Sequence, residues 1–104
     1  MAYIGKVEVD NTWQKVEDLI KSQVTGQSAF AFDENSIYQL QSEAGYGCRL
    51  CNAASAPADG NDGEVILQDK VGIYKKEGGA YLYAKVHTLQ PGQPCLLKIS
   101  KVGD

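Results

Sequence analysis

Histidine is the scarcest catalytic residue type in this 104-residue chain: His87 stands alone. No serine or cysteine beside it forms a nucleophile motif, and no glycine-rich loop is built to cradle phosphate. Long apolar runs are missing as well. None approaches the length of a membrane span, and the opening MAYIGKVEVD lacks the apolar middle of a signal peptide. Synthesis in a reducing cytosol is the resulting expectation. Cysteine is sparse and odd in number, so the three thiols cannot all pair within one chain. A basic excess is absent too, with a net charge of −3 and a pI of about 5.0. That balance argues against a general nucleic-acid binder, which needs a basic face. Lys70, Lys75, Lys76, Lys85, Lys98 and Lys101 gather in the last third, which reads as a mixed solvated surface.

What the chain does have is alternation. With 43% hydrophobic and 22% charged residues it should fold, and its length fits one domain over 1–104. In AYIGKVEV, Val7 and Val9 share a face while Glu8 points away, a short strand signal. Residues 1–10 read as an edge strand or as an arm that docks on a neighbour. Trp13, Val16, Leu19 and Ile20 then recur at helical spacing, which predicts a helix over 12–22 with Asn11 and Gln14 as a capping box. From Gln27 the period becomes two. Strands are expected in QSAFAFD, with Phe30 and Phe32 on one face, and in NSIYQLQSE, with Tyr38 and Leu40 on one face. Further strands are expected in YGCRLCNA, GEVILQ, VGIYKK, AYLYAKV and CLLKISKV. A glycine-rich reversal joins the strands around Gly45–Gly47, and Glu77-Gly78-Gly79 signals a hairpin. Asp69-Lys70 and Gln90-Pro91-Gly92 signal further turns. Seven or eight short strands and one helix predict an all-β fold, an antiparallel β-sandwich or jelly-roll-like barrel.

The one apparent chemical motif is Cys48-Arg49-Leu50-Cys51. A Cys-x-x-Cys suggests half a zinc site or a redox pair. Four-ligand zinc would need Cys95 and His87 as well. Residues three apart on a strand face opposite ways, so the two sulfurs should diverge, with Cys48 and Cys95 serving as small core hydrophobes. Asp59-Gly60-Asn61-Asp62-Gly63-Glu64 is oxygen-rich but does not match an EF-hand loop, and reads as the exposed tip of a loop over 53–63. Tyr81 and Tyr83 share one strand face opposite Leu82, Ala84 and Val86. They read as cover for an outer sheet face, or as a contact with a subunit or sugar.

The order of these features resembles small tailed-bacteriophage virion proteins, β-sandwich modules used as head decoration proteins, head fibres or tail-fibre pieces. The features are Trp13 before an apolar helix, Gly26 and a Phe-rich strand, Tyr38-Gln39-Leu40-Gln41, then Cys48-Arg49-Leu50-Cys51. Ala56-Pro57, Gly63 before Val65, Leu82-Tyr83-Ala84-Lys85 and a last strand ending Ile99-Ser100-Lys101 follow. The resemblance spans about Gly5 to Val102. It implies a non-enzymatic capsid decoration protein in the virion, made in the host cytoplasm, with no cofactor or metal. The implied partners are the major capsid protein or another virion protein and further copies of this chain in a trimer, with neither nucleic acid nor membrane. The expected interface residues are Ile4, Val7, Val9, Trp13, Tyr81 and Tyr83. The alternative is a carbohydrate- or receptor-binding module of a tail fibre, and a third reading is an enzyme or metal protein built on Cys48, Cys51, Cys95 and His87.

Overall fold

The computed structural model describes residues 2–44, 47–57, 64–66, 70–86 and 95–103. The expected 59–63 tip, the turns at 69 and 90–92, and His87 lie outside them. The described residues form eight strands and one helix. In chain order these are β1 (Ala2–Val9), β2 (Gln14–Lys15), α1 (Val16–Gln23), β3 (Ile37–Ala44), β4 (Cys48–Ala53), β5 (Glu64–Ile66), β6 (Val71–Lys75), β7 (Tyr81–Val86) and β8 (Cys95–Gly103). They make two four-stranded antiparallel sheets, β1-β8-β3-β6 and β2-β7-β4-β5.

This order has a simple origin. The chain doubles back on itself between β4 and β5, so β4 pairs β5, β3 pairs β6, β2 pairs β7 and β1 pairs β8. The long ribbon is then rolled so that successive pairs fall in alternate sheets, and β8–β3 and β7–β4 contacts knit the turns together. That is an eight-stranded jelly roll, and it realises the all-β sandwich expected from alternation.

The topology corrects one expected hairpin and separates the strands on either side of the expected glycine-rich reversal. Gly47 sits at φ 100°, and β3 and β4 enter different sheets. Glu77-Gly78-Gly79 turns as well, closed by the Ala80 N–H donating to Glu77 O at 3.2 Å with Gly79 at φ 80°. Again the flanking strands, β6 and β7, part into opposite sheets. A turn dictates reversal, whereas the paired strand is dictated by which apolar faces meet.

The core follows the alternation. Val7, Val9, Tyr38, Leu40, Leu97 and Ile99 point in from one sheet, and Cys48, Leu50, Leu82, Ala84 and Val86 from the other. Helix α1 buries Val16, Leu19 and Ile20 along its inner stripe and packs on β1, β2 and β7, closing one side of the sandwich. It starts later than expected. Gln14 and Lys15 are held in a ladder opposite Ala84 and Tyr83, so the cap falls at Lys15 with no side-chain capping bond, and Asn11 plays no capping part.

The expected Phe30–Phe32 strand does not form either. Residues 27–36 are turns and irregular chain. Their backbone donors find other acceptors: the Phe30 N–H bonds Gln27 O at 3.0 Å, the Phe32 N–H bonds Glu17 Oε1 at 3.2 Å, and the Asp33 N–H bonds the Tyr38 hydroxyl at 2.9 Å. Phe32 is nonetheless buried, edge-on to Phe30, Tyr38 and Tyr74 with ring centroids 5.0, 4.7 and 4.9 Å away. Aromatic packing holds the segment without a ladder.

Candidate functional site

The expected interface residues scatter when the chain folds. Val7 and Val9 are buried in the core, and Ile4 is half-buried against it. β1 is an edge strand of its sheet, but its outer edge is already engaged. The Gln23 side-chain amide accepts from the Glu8 N–H at 2.7 Å and donates to Glu8 O at 3.0 Å, imitating a neighbouring strand. Gly5 lies so close to α1 that a Cβ there would sit 2.6 Å from Val24 Cγ2. The helix thus covers this edge at Glu8, and residues 2–9 form the edge strand of the sheet.

Tyr81 and Tyr83 do lie on the outer face of their sheet, opposite the buried Leu82, Ala84 and Val86. Tyr83 is nevertheless buried, flanked in register by Lys15 on β2 and Cys51 on β4. The Tyr81 ring is covered by two ammonium groups, Lys15 Nζ at 3.9 Å and Lys76 Nζ at 4.6 Å from its centroid. Lys76 also pairs with Glu17 Oε1 at 3.8 Å and donates to Ala80 O at 3.3 Å. This cluster ties the 77–80 turn to α1. It is a fastening for the fold, with each cation spread over a ring face.

Trp13 is half-buried at the mouth of an open cleft of about 480 Å3 between β2, α1 and Tyr83, with Gln14, Asp18 and Ser22 along its wall. An aromatic plane beside amide, hydroxyl and carboxylate groups can stack an apolar ring face and hydrogen-bond its polar edge.

Alternation missed the larger surface. All five exposed large hydrophobics among the described residues, Tyr3, Ile37, Val71, Ile73 and Val102, belong to the β1-β8-β3-β6 sheet. The register sets Tyr3, Ile73 and Val71 in two rows across its outer face. One row runs Tyr3, Ser100, Gln39, Ile73, and the next runs Lys6, Lys98, Gln41, Val71. Ile73 is 66% exposed and Tyr3 58%. Lys98 reaches over the Tyr3 ring at 5.5 Å, Lys75 stands opposite Ile37, and Lys6 pairs with Glu43 at 3.4 Å. The two central strands carry Ser100, Lys98, Gln39 and Gln41 across this face, with Tyr3 at one edge of the sheet and Val71 and Ile73 at the other. Period two sets Ile37 opposite Tyr38 and Leu40 and puts Val71 in phase with Ile73, but it could not show that all three would lie on the outer face of one sheet.

The cysteines divide as strand geometry requires. Cys48 is fully buried and Cys51 half-buried on the outer face. Among the described residues no group of three or more His, Cys, Asp or Glu is placed to hold a metal, and no helix is long and apolar enough to cross a membrane. Cys95 is also buried, and its thiol donates to Gly47 O at 3.3 Å. The Cys48 S–H is hydrogen-bonded to Cys95. That bond, with burial, pushes the Cys48 thiol up, and the same bond pulls Cys95 below the ordinary thiol range. No family model, curated protein or solved structure matches this chain.

Proposed function

We propose that this protein is a non-enzymatic virion structural protein of a tailed bacteriophage, a head-decoration module that docks on the assembled shell. The observation that carries the proposal is the exposed outer face of the β1-β8-β3-β6 sheet, with Tyr3, Ile37, Val71 and Ile73 beside Gln39 and Gln41. Large apolar side chains left exposed on a single sheet face among amides and lysines support a protein-binding surface. Lys6, Lys75 and Lys98 on the same face favour an acidic partner surface and steer the encounter. Jelly rolls recur in viral capsid and lectin domains, which adds a fold-level analogy and no more than that.

The test is cosedimentation of the purified chain with heads of the encoding phage that lack it. Wild-type protein should saturate the heads. Ile73→Asp should bind at least tenfold more weakly while its Tm stays within a few degrees, because Ile73 contributes little to the core. Sedimentation of the free protein should give a trimer mass. Equal binding by wild type and Ile73→Asp, or no binding by either, overturns the reading.

The Trp13 cleft favours a second reading, a saccharide-binding module of a tail fibre. Stacking of a sugar on Trp13 with hydrogen bonds to Gln14 and Asp18 would carry it. Glycan-array binding lost in Trp13→Ala, with no binding to heads, would place this reading first.

A further inference from the structure

The sequence pairs Cys48 with Cys51 by spacing, but the fold pairs Cys48 with Cys95. Cys48 opens β4 in one sheet and Cys95 opens β8 in the other. Both point into the core, at 0% and 3% exposure. The Cys95 thiol reaches the carbonyl of Gly47, the residue before Cys48, at 3.3 Å. The two thiols are close enough to shift one another's acidity in opposite directions, and the buried Ser42 acts on Cys95 as well. Cys51, on the outer face opposite Tyr83, has no route to either sulfur through the sheet.

We propose that Cys48 and Cys95 are a modification site at which a low-molecular-weight disulfide, such as oxidised glutathione, installs a disulfide bridging the two sheets. The inference is independent of the docking reading. Cys95 is the attacking thiol, because the Cys48 S–H stabilises its thiolate. Its sulfur attacks one sulfur of glutathione disulfide. The glutathione S–S bond breaks, a Cys95–glutathione mixed disulfide forms, and one glutathione thiolate leaves and takes up the Cys95 proton. Cys48 then attacks the Cys95 sulfur. The mixed disulfide breaks, the second glutathione leaves with the Cys48 proton, and the Cys48–Cys95 bond remains. Two thiols are oxidised by two electrons and one glutathione disulfide is reduced by two. Each cysteine is the first residue of its strand, where ladders open most readily, so the oxidant enters by local parting of strand ends. The product resembles the inter-sheet disulfides that staple other sandwiches. It would lock a protein made in a reducing cytosol once it passes to an oxidising medium.

The experiment incubates the full-length chain in glutathione buffers from fully reduced to fully oxidised, then alkylates it under denaturing conditions. The expected product has lost two hydrogens in mass, takes one alkyl group instead of three, and yields a joined peptide containing Cys48 and Cys95. Its Tm should rise by roughly 10 °C or more, since the bridge closes a long loop. Cys51→Ser should behave as wild type, and Cys48→Ala and Cys95→Ala should each lose the bridge and the Tm rise. If either alanine variant fails to fold, the wild-type peptide map decides alone. Three alkylatable thiols in the oxidised buffer, glutathione on Cys51 only, or a bridge that includes Cys51 overturns the proposal.

Discussion

Tyr38 and Tyr74 face each other across β3 and β6, both buried, yet their hydroxyls have opposite prospects. The Tyr38 hydroxyl accepts the Asp33 N–H at 2.9 Å, whereas the Tyr74 hydroxyl has no hydrogen-bond partner among the described residues. Tyr38→Phe should therefore cost about 1 kcal/mol in urea unfolding, by orphaning a partly buried donor. Tyr74→Phe should be neutral or stabilising by up to about 1 kcal/mol, because it removes a buried polar group that gains nothing. Burial, then the charges of Glu17, Tyr38 and Glu77, pushes the Tyr74 phenol up to about 12. The unfolded chain titrates this group near 10, so the native state holds the proton more tightly. Ionisation of this group leaves stability unchanged below about pH 10 and lowers it as pH rises through about 12. A Tm series across that window should fall more steeply in wild type than in Tyr74→Phe. Gly5 is a steric case. A Cβ would meet Val24 Cγ2 at 2.6 Å and Cγ1 at 2.8 Å, on a β-branched side chain that cannot swing aside. Gly5→Ala should cost about 1–3 kcal/mol, and Val24→Ala in the same chain should recover part of it.

At the scale of elements, α1 is the piece that makes an edge safe. Its Gln23 amide fills both hydrogen-bonding positions of Glu8 on β1. Gln23→Ala should lower stability by about 1 kcal/mol and leave a strand edge open to pairing with another chain. Sedimentation at rising concentration should then show association beyond the wild-type mass, and Gln23→Glu should behave like the alanine variant because it cannot donate to Glu8 O. The helix itself carries Glu17 and Asp18 in its first turn and Lys21 in its last, the favourable sense for its dipole. Its Glu17 is drawn inward to Lys76 and to the Phe32 N–H, so one carboxylate fastens the helix to both the 77–80 turn and the irregular 27–36 segment.

At the scale of the whole molecule, β1 pairs β8 and the first strand meets nearly the last residue. Contacts of such separation must close long loops before burial rewards them. Refolding followed by the single tryptophan, Trp13, should accordingly fall in the millisecond-to-second range typical of sandwiches, well behind helical domains of this size. Microsecond refolding would contradict a rolled-ribbon topology.

The alternation of Tyr38 with Leu40, Leu82 with Ala84, and Leu97 with Ile99 was enough to establish an all-β chain, its inward faces and the divergence of Cys48 from Cys51. These are local properties, because side-chain direction in a strand follows from the period of the backbone alone. Where local signals competed with distant ones, local reading failed. Gln14 and Lys15 have helical neighbours but lie in the ladder of β7, and Phe30 and Phe32 alternate like a strand but are held by rings and by Glu17. Tertiary structure alone decided that the turns after β3 and β6 would part strands into opposite sheets. It also decided that Ile37, Val71 and Ile73 would share a face with Tyr3, and that Cys48 would meet Cys95 instead of its neighbour in sequence. Those outcomes depend on which apolar faces find each other across the core, a pairing of distant segments that the order of residues along one strand does not encode.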